Sequence, residues 1–161
     1  MLNINSRLVL KSAIGNRKSA MIEVINRQRR RKINAKQWRE FGEKALLAIG
    51  GGNLSAAIVF VGDAAINKLN RQFRGKNDVT DVLSFPSKAE SFEVENGSQL
   101  GEVVISTQRA AAQAKDHGLS FSDEVEQLIL HGLLHLCGND HETDRGQMNR
   151  LELKLRKKLG I

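Results

Sequence analysis

Hydrophobic and polar positions along the 161-residue chain fall into short apolar runs and longer stretches at helical spacing. Before residue 20 the periodicity is weak. It sharpens at 21–25, Met-Ile-Glu-Val-Ile, which reads as a short strand and leads into the basic run Arg27-Gln-Arg-Arg-Arg31-Lys32. Asn34, with Gln37 three residues on, has the character of an N-cap. Trp38, Phe41, Ala45, Leu46 and Ile49 then recur at helical spacing until Gly50-Gly51-Gly52 closes the element. Residues 54–61 are mostly apolar, as suits a largely buried strand. Asp63 is read as the cap of the next helix, with Ile66, Leu69 and Phe73 as its buried stripe and Arg74-Gly75 as its end. A polar loop precedes a strand at 82–85, which the only proline, Pro86, stops.

Residues 88–99, with Glu90, Glu93 and Glu95, read as an exposed loop or hairpin arm, and 102–106 as a further strand. The alanine-rich stretch 107–117 predicts a helix ending at Gly118. Ser122 is read as the cap of a long helix whose first turn is favoured by Asp123, Glu124 and Glu126. Val125, Leu128, Ile129, Leu133 and Leu136 form its apolar stripe. Residues 147–159 predict a last amphipathic helix carrying Leu151, Leu155 and Leu159. No internal repeat or linker interrupts the chain. Strands and helices are interspersed, and several strands are close enough to pair antiparallel, so the class is α+β, or mixed α/β on one sheet.

The length suits one domain with a real core. Residues 1–20 contain no acid. That composition suits a transit peptide. They are read instead as a poorly ordered basic extension, or the product of an upstream start with Met21 as the true beginning. The domain then spans 21–161. No apolar run approaches the roughly 18 residues of a membrane span, and one cysteine makes no internal disulfide, so a cytoplasmic protein is expected. The net charge of +7 is uneven. Residues 1–50 hold twelve Lys/Arg against three Glu, and residues 51–161 hold thirteen against fifteen Asp/Glu. That asymmetry fits a polyanionic partner such as nucleic acid, and equally a basic face kept for solubility.

The chemistry is concentrated near the C-terminus. Three of the four histidines fall in His131-Gly-Leu-Leu-His135-Leu-Cys-Gly138-Asn-Asp140-His141. On a helix, His131 and His135 share one face. Gly138 suits the left-handed position that ends a helix, after which the chain can bring His141 back. Three converging imidazoles make a metal site with an open fourth position, the catalytic form. The histidines and glycine match the metalloprotease pattern His-Glu-x-x-His-x-x-Gly-x-x-His, but position 132 is glycine, so the peptidase's base is missing. A three-histidine zinc lowers the pKa of bound water to roughly 7 and polarises a phosphoryl oxygen, which makes phosphodiester hydrolysis feasible. Either water or a ribose 2′-hydroxyl could then attack. Asp140, Glu142 and Asp144 are candidates for proton transfer or for orienting a histidine. Cys137 is read as a small buried residue and His117 as a helix C-terminal dipole partner, neither as a ligand.

These residues resemble the YbeY family of bacterial endoribonucleases. The histidine stretch resembles its His-Gly-x-Leu-His-Leu-x-Gly-Tyr-Asp-His signature. Arg74 and Thr80-Asp81-Val82-Leu83-Ser84-Phe85-Pro86 resemble its Arg-x-x-x-x-x-Thr-(Asn/Asp)-Val-Leu-Ser-Phe-Pro block, and Gly101-Glu102-Val103-Val104-Ile105 its Gly-Asp-Ile-x-Ile strand. The resemblance implies a zincin-like α+β fold, a mixed sheet of about four strands with helices packed on it and the metal-binding helix near the C-terminus. It implies one Zn2+ held by His131, His135 and His141. It also implies cleavage of single-stranded RNA in ribosomal RNA maturation and ribosome quality control, with precursor rRNA and the small ribosomal subunit as partners. Arg74 matches the family's functional arginine; its chemistry suits a clamp on the scissile phosphate, and its position also suits a helix-dipole partner. Another zinc hydrolase such as a peptidase, or a non-catalytic ribosome-associated zinc protein, are the alternatives. Asn139 departs from the family's tyrosine, and Asn77-Asp78-Val79 from a stretch that often contains proline.

Overall fold

A computed structural model describes residues 20–87, 99–140, 142 and 144–161. The extension read at 1–20, apart from Ala20, and the loop read at 88–99, apart from Gln99, lie outside the described residues, as does His141.

One four-stranded sheet organises the chain. Strands β1 (Met21–Asn26), β2 (Ser55–Val61), β3 (Val82–Pro86) and β4 (Gln99–Ser106) lie in the order β1-β2-β4-β3. The β1–β2 and β2–β4 pairs are parallel, and only β3 runs antiparallel, on β4. The antiparallel pairing expected more widely is thus confined to one edge. Parallel pairs need a crossover, and α1 (Ala35–Ile49) and α2 (Asp63–Arg74) supply it. Helices α3 (Thr107–His117), α4 (Phe121–Leu136) and α5 (Gln147–Leu159) follow β4. The result is a mixed α+β domain with four strands and five helices among the described residues.

The two faces of the sheet are sorted by the period of two along each strand. On one face, Ala56, Ile58 and Phe60 of β2 join Val103 and Ile105 of β4 in a core with Trp38, Phe41 and Leu46 of α1 and the buried stripe of α4. On the other, Ala57, Val59, Val61 and Val104 meet Ile66 of α2 and Leu83 of β3. Phe73, read as buried, is exposed, with its ring edge-on to Phe85 at 5.1 Å. Asn70 is the residue buried beside Ile66 instead, and its amide donates to the Asp78 carbonyl at 2.8 Å, holding the loop between Arg74 and β3.

Helix ends follow their caps. Asn34 accepts from the Gln37 N–H as expected. For α2 the N-cap is Gly62, and the Asp63 carboxylate accepts from the Ser106 hydroxyl instead. For α4 the cap is Ser120, not Ser122. Ser120 Oγ accepts from the Asp123 N–H at 3.1 Å while the Asp123 carboxylate accepts from the Ser120 N–H at 3.1 Å, a complete capping box. Pro86 closes β3 on the sheet edge, opposite Gly101. Gly101 has φ +136, and a side chain there would collide with the β3 backbone.

Candidate functional site

Helix α4 carries the site, and Gly132 sets its height above the sheet. A Cβ at position 132 would lie 2.9 Å from Val103 Cγ2 and closer still to Cγ1, so the bare turn of the helix rests directly on the Val103 side chain of β4. The Ser84 hydroxyl donates to the Gly132 carbonyl at 3.2 Å and ties edge strand β3 to the same turn. That turn is flanked by His131 and continues to His135.

The two histidines meet as their spacing predicts. Their Nε2 atoms are 3.2 Å apart, and the rings are edge-to-face at 75° with centroids 4.8 Å apart. Two nitrogens each about 2.0–2.1 Å from one tetrahedral zinc would stand about 3.3 Å from each other. The observed pair therefore fits two adjacent ligands of one metal. Among the described residues no group of three His, Cys, Asp or Glu side chains is arranged to hold a metal ion; the third expected ligand, His141, falls outside them.

Behind His131 stands a carboxylate that the sequence reading missed. Glu152 of α5 is buried and its Oε2 lies 3.0 Å from His131 Nδ1. Burial pushes the Glu152 carboxyl up, but hydrogen bonds from His131 and Arg156, with their charges, outweigh it and hold the group below the usual carboxylate range. An ionised Glu152 accepts a hydrogen bond from the Nδ1–H of His131 and leaves the Nε2 lone pair facing His135, the arrangement a metal ligand needs. Arg156 completes the chain, pairing with Glu152 and donating to Gln127 Oε1 on α4 at 2.7 Å. A signal existed: the buried residues of α5 are Met148, Glu152, Leu155 and Leu159, so an acid sits on an apolar stripe.

After Leu136 the helix unwinds as expected. Gly138 takes φ +88, and its N–H donates to the His135 carbonyl at 3.0 Å. Asn139 caps the helix with a side-chain bond to the Leu134 carbonyl at 3.1 Å. Cys137 is partly buried against the core, and burial pushes its thiol up, which suits an inert role.

The histidines open into a cleft of about 980 Å³ that Arg74, Thr80, Ser84 and Asp140 also line. Arg74 is the last residue of α2, and Nη2 lies 3.3 Å from Glu142 Oε1. It thus ends a helix and lines the cleft. Glu142 is thereby the ion-pair partner of Arg74. The Asp144 carboxylate accepts from the Met148 N–H at 2.6 Å and the Gly146 N–H at 2.7 Å, and so fixes the start of α5. Those bonds, the one from Met148 foremost, hold its carboxyl below the usual range.

His117 is more than a dipole partner. It lines the same cleft, and its Nδ1 lies 3.0 Å from the buried Glu124 carboxylate. Glu124 precedes His131 by seven residues of helix, about 10 Å of rise. The His117–Glu124 pair therefore lines the same cleft about two helical turns from His131 along α4.

Comparison with known proteins identifies the family. An endoribonuclease YbeY of Solibacter usitatus is 48% identical over 103 residues, which cover 64% of this chain and 65% of that protein. One of Geobacter metallireducens is 36% identical over 141 residues, covering 87% of this chain and 94% of that protein. The solution structure of TM1509 from Thermotoga maritima superposes with a TM-score of 0.59 at 26% identity, covering 86% of this chain and 89% of that one. A mixed α+β domain with a histidine cleft on its C-terminal half is thus of the endoribonuclease class, a group of nuclease hydrolases. Residues 23–160 match the family model described as endoribonuclease YbeY, and the chain belongs to that family.

Proposed function

We propose that the protein cleaves single-stranded RNA with one zinc ion held by His131, His135 and His141, and that it acts in the cytoplasm on precursor ribosomal RNA at the small ribosomal subunit. In this reading the fold is zincin-like, with α4 as its metal-binding helix. The observation that carries the proposal is the 3.2 Å approach of His131 and His135 Nε2 in a cleft shared with Arg74. Zinc bound there would supply Lewis-acid activation of water or of a phosphoryl oxygen. The protein's own groups do the rest. Glu152 fixes the tautomer and direction of His131. Arg74 exchanges Glu142 for the scissile phosphate and offsets its developing charge. That exchange is cheap, because an exposed ion pair contributes about 0–1 kcal/mol. Peptide hydrolysis has no such support: position 132, where a peptidase places its glutamate, has no room for a side chain.

The test is metal content together with cleavage of a single-stranded RNA oligonucleotide. His131→Ala and His135→Ala should each lose zinc and reduce cleavage by several orders of magnitude. Arg74→Glu should keep zinc and lose cleavage. Full nuclease activity in a metal-free His131→Ala/His135→Ala protein would sink the mechanism, and loss of zinc on changing Arg74 would make that residue structural.

A further inference from the structure

The basic run that follows β1 lies at the far end of the cleft-facing side of α4. Between Glu23 and Glu40 the sequence contains no acid, and Arg27, Arg29, Arg30, Arg31 and Lys32 are all exposed. A run of this kind is ordinarily a solvated and shapeless face. Here it is folded. The Gln28 amide donates to the Arg31 carbonyl at 2.7 Å and accepts from the Arg31 N–H at 2.9 Å, closing a turn, while Asn26 Oδ1 accepts from both the Gln28 backbone and side chain. The Arg31 guanidinium then lies over the Phe121 ring, 4.2 Å from its centroid. A guanidinium held by an aromatic face still presents its edge donors to a ligand.

Phe121 gives the loop its address. Positions 121, 124, 128, 131 and 135 recur at steps of three and four, so they share one side of α4. Glu124, Leu128, His131 and His135 of that side line the cleft. Phe121 begins the row, ten residues or about 15 Å of rise before His131. The acids nearest this end are already engaged: Asp123 closes the capping box with Ser120, and Glu124 pairs with His117. Among the described residues, Arg29, Arg30 and Lys32 enter no salt bridge.

We propose that the folded loop of residues 27–32 is a second phosphate-binding element, which grips the backbone of a single RNA strand several nucleotides from the bond cut beside His131 and His135. This rests on the RNA-cleaving reading above. The strand runs along the cleft side of α4, anchored by Arg74 at one end and by the loop at the other. The loop carries affinity and register, not chemistry, because it lies about 15 Å or more from the histidines.

The test compares wild type with Arg29→Ala/Arg30→Ala/Lys32→Ala on a long single-stranded RNA across a salt series. KM should rise about tenfold or more, and the slope of log(kcat/KM) against log salt should fall by about 2, since each phosphate contact on a single strand contributes about 0.7. Turnover at saturating RNA should be retained. Lys154→Ala/Lys157→Ala/Lys158→Ala, which removes three exposed cations from α5, is the control and should move neither quantity. Unchanged KM and slope in the loop variant, or an equal change in the α5 variant, overturns the loop's role while leaving the cleavage reading intact. Wild-type protein that does not cut RNA overturns both.

Discussion

A carboxylate on the buried side of α5 decides how His131 presents itself. Glu152→Gln keeps an oxygen opposite His131 Nδ1 but removes the charge that holds the proton there, and Arg156 loses its ionic partner. Zinc affinity, measured by competition with a chelating dye, should fall about 10–100-fold, with the far-ultraviolet spectrum unchanged. Unaltered affinity would mean that Glu152 merely fills space. At this scale the sequence is unequally legible. His131 and His135 could be read directly because four residues is one turn of helix. Glu152 is twenty-one residues from its partner, and no local rule connects them. Only its place on an apolar stripe betrayed it, and that stripe was read instead through Leu151. Arg74 was visible through its sequence block and Glu142 as a nearby acid, whereas their pairing was not, since it is a contact between residues far apart in the chain.

Among the elements, the contact of α4 with β4 is the tightest constraint on the site. Gly132→Ala should destabilise the domain by about 1–3 kcal/mol, because Val103 is a stiff β-branched residue that cannot swing aside. Val103→Ala should recover part of that loss in the double variant, a coupling readable from urea unfolding of the four proteins. Strict additivity would place the strain elsewhere. Element boundaries were legible where caps are local: α3 and α5 fall where their periodicity predicts, and Ser120-x-x-Asp123 carries the start of α4, two residues before the competing Ser122. Strand pairing was not legible, because order in a sheet depends on which crossovers the helices make. The one clue was the unbroken apolar run of β2, the mark of a central parallel strand.

For the molecule as a whole, α5 closes the fold by bringing Glu152 to the site and Met148, Leu155 and Leu159 to the core. Asp144 fixes where that helix starts. Its carboxyl is held below the ordinary range, near 3.9 for a free aspartate, so folding favours the ionised form. The stabilisation is complete above the unfolded pKa and disappears as the pH falls through the lowered folded value. Asp144→Ala should therefore lower Tm at neutral pH, and the gap to wild type should close below pH of about 4. A gap that stays constant in acid would mean the carboxylate's charge does not matter. Composition showed the charge asymmetry plainly, but whether that charge was shaped or merely solvated depended on Gln28 and Phe121, which no count reveals. The bare turn at Gly132 also bears on how such a protein can change. Exchange of glycine for glutamate is a small genetic step and would restore the spacing of a peptidase motif. The step lands on Val103, so the fold must first yield at a second position before selection could see any new activity. One missing methyl group thus keeps two neighbouring chemistries on separate evolutionary paths.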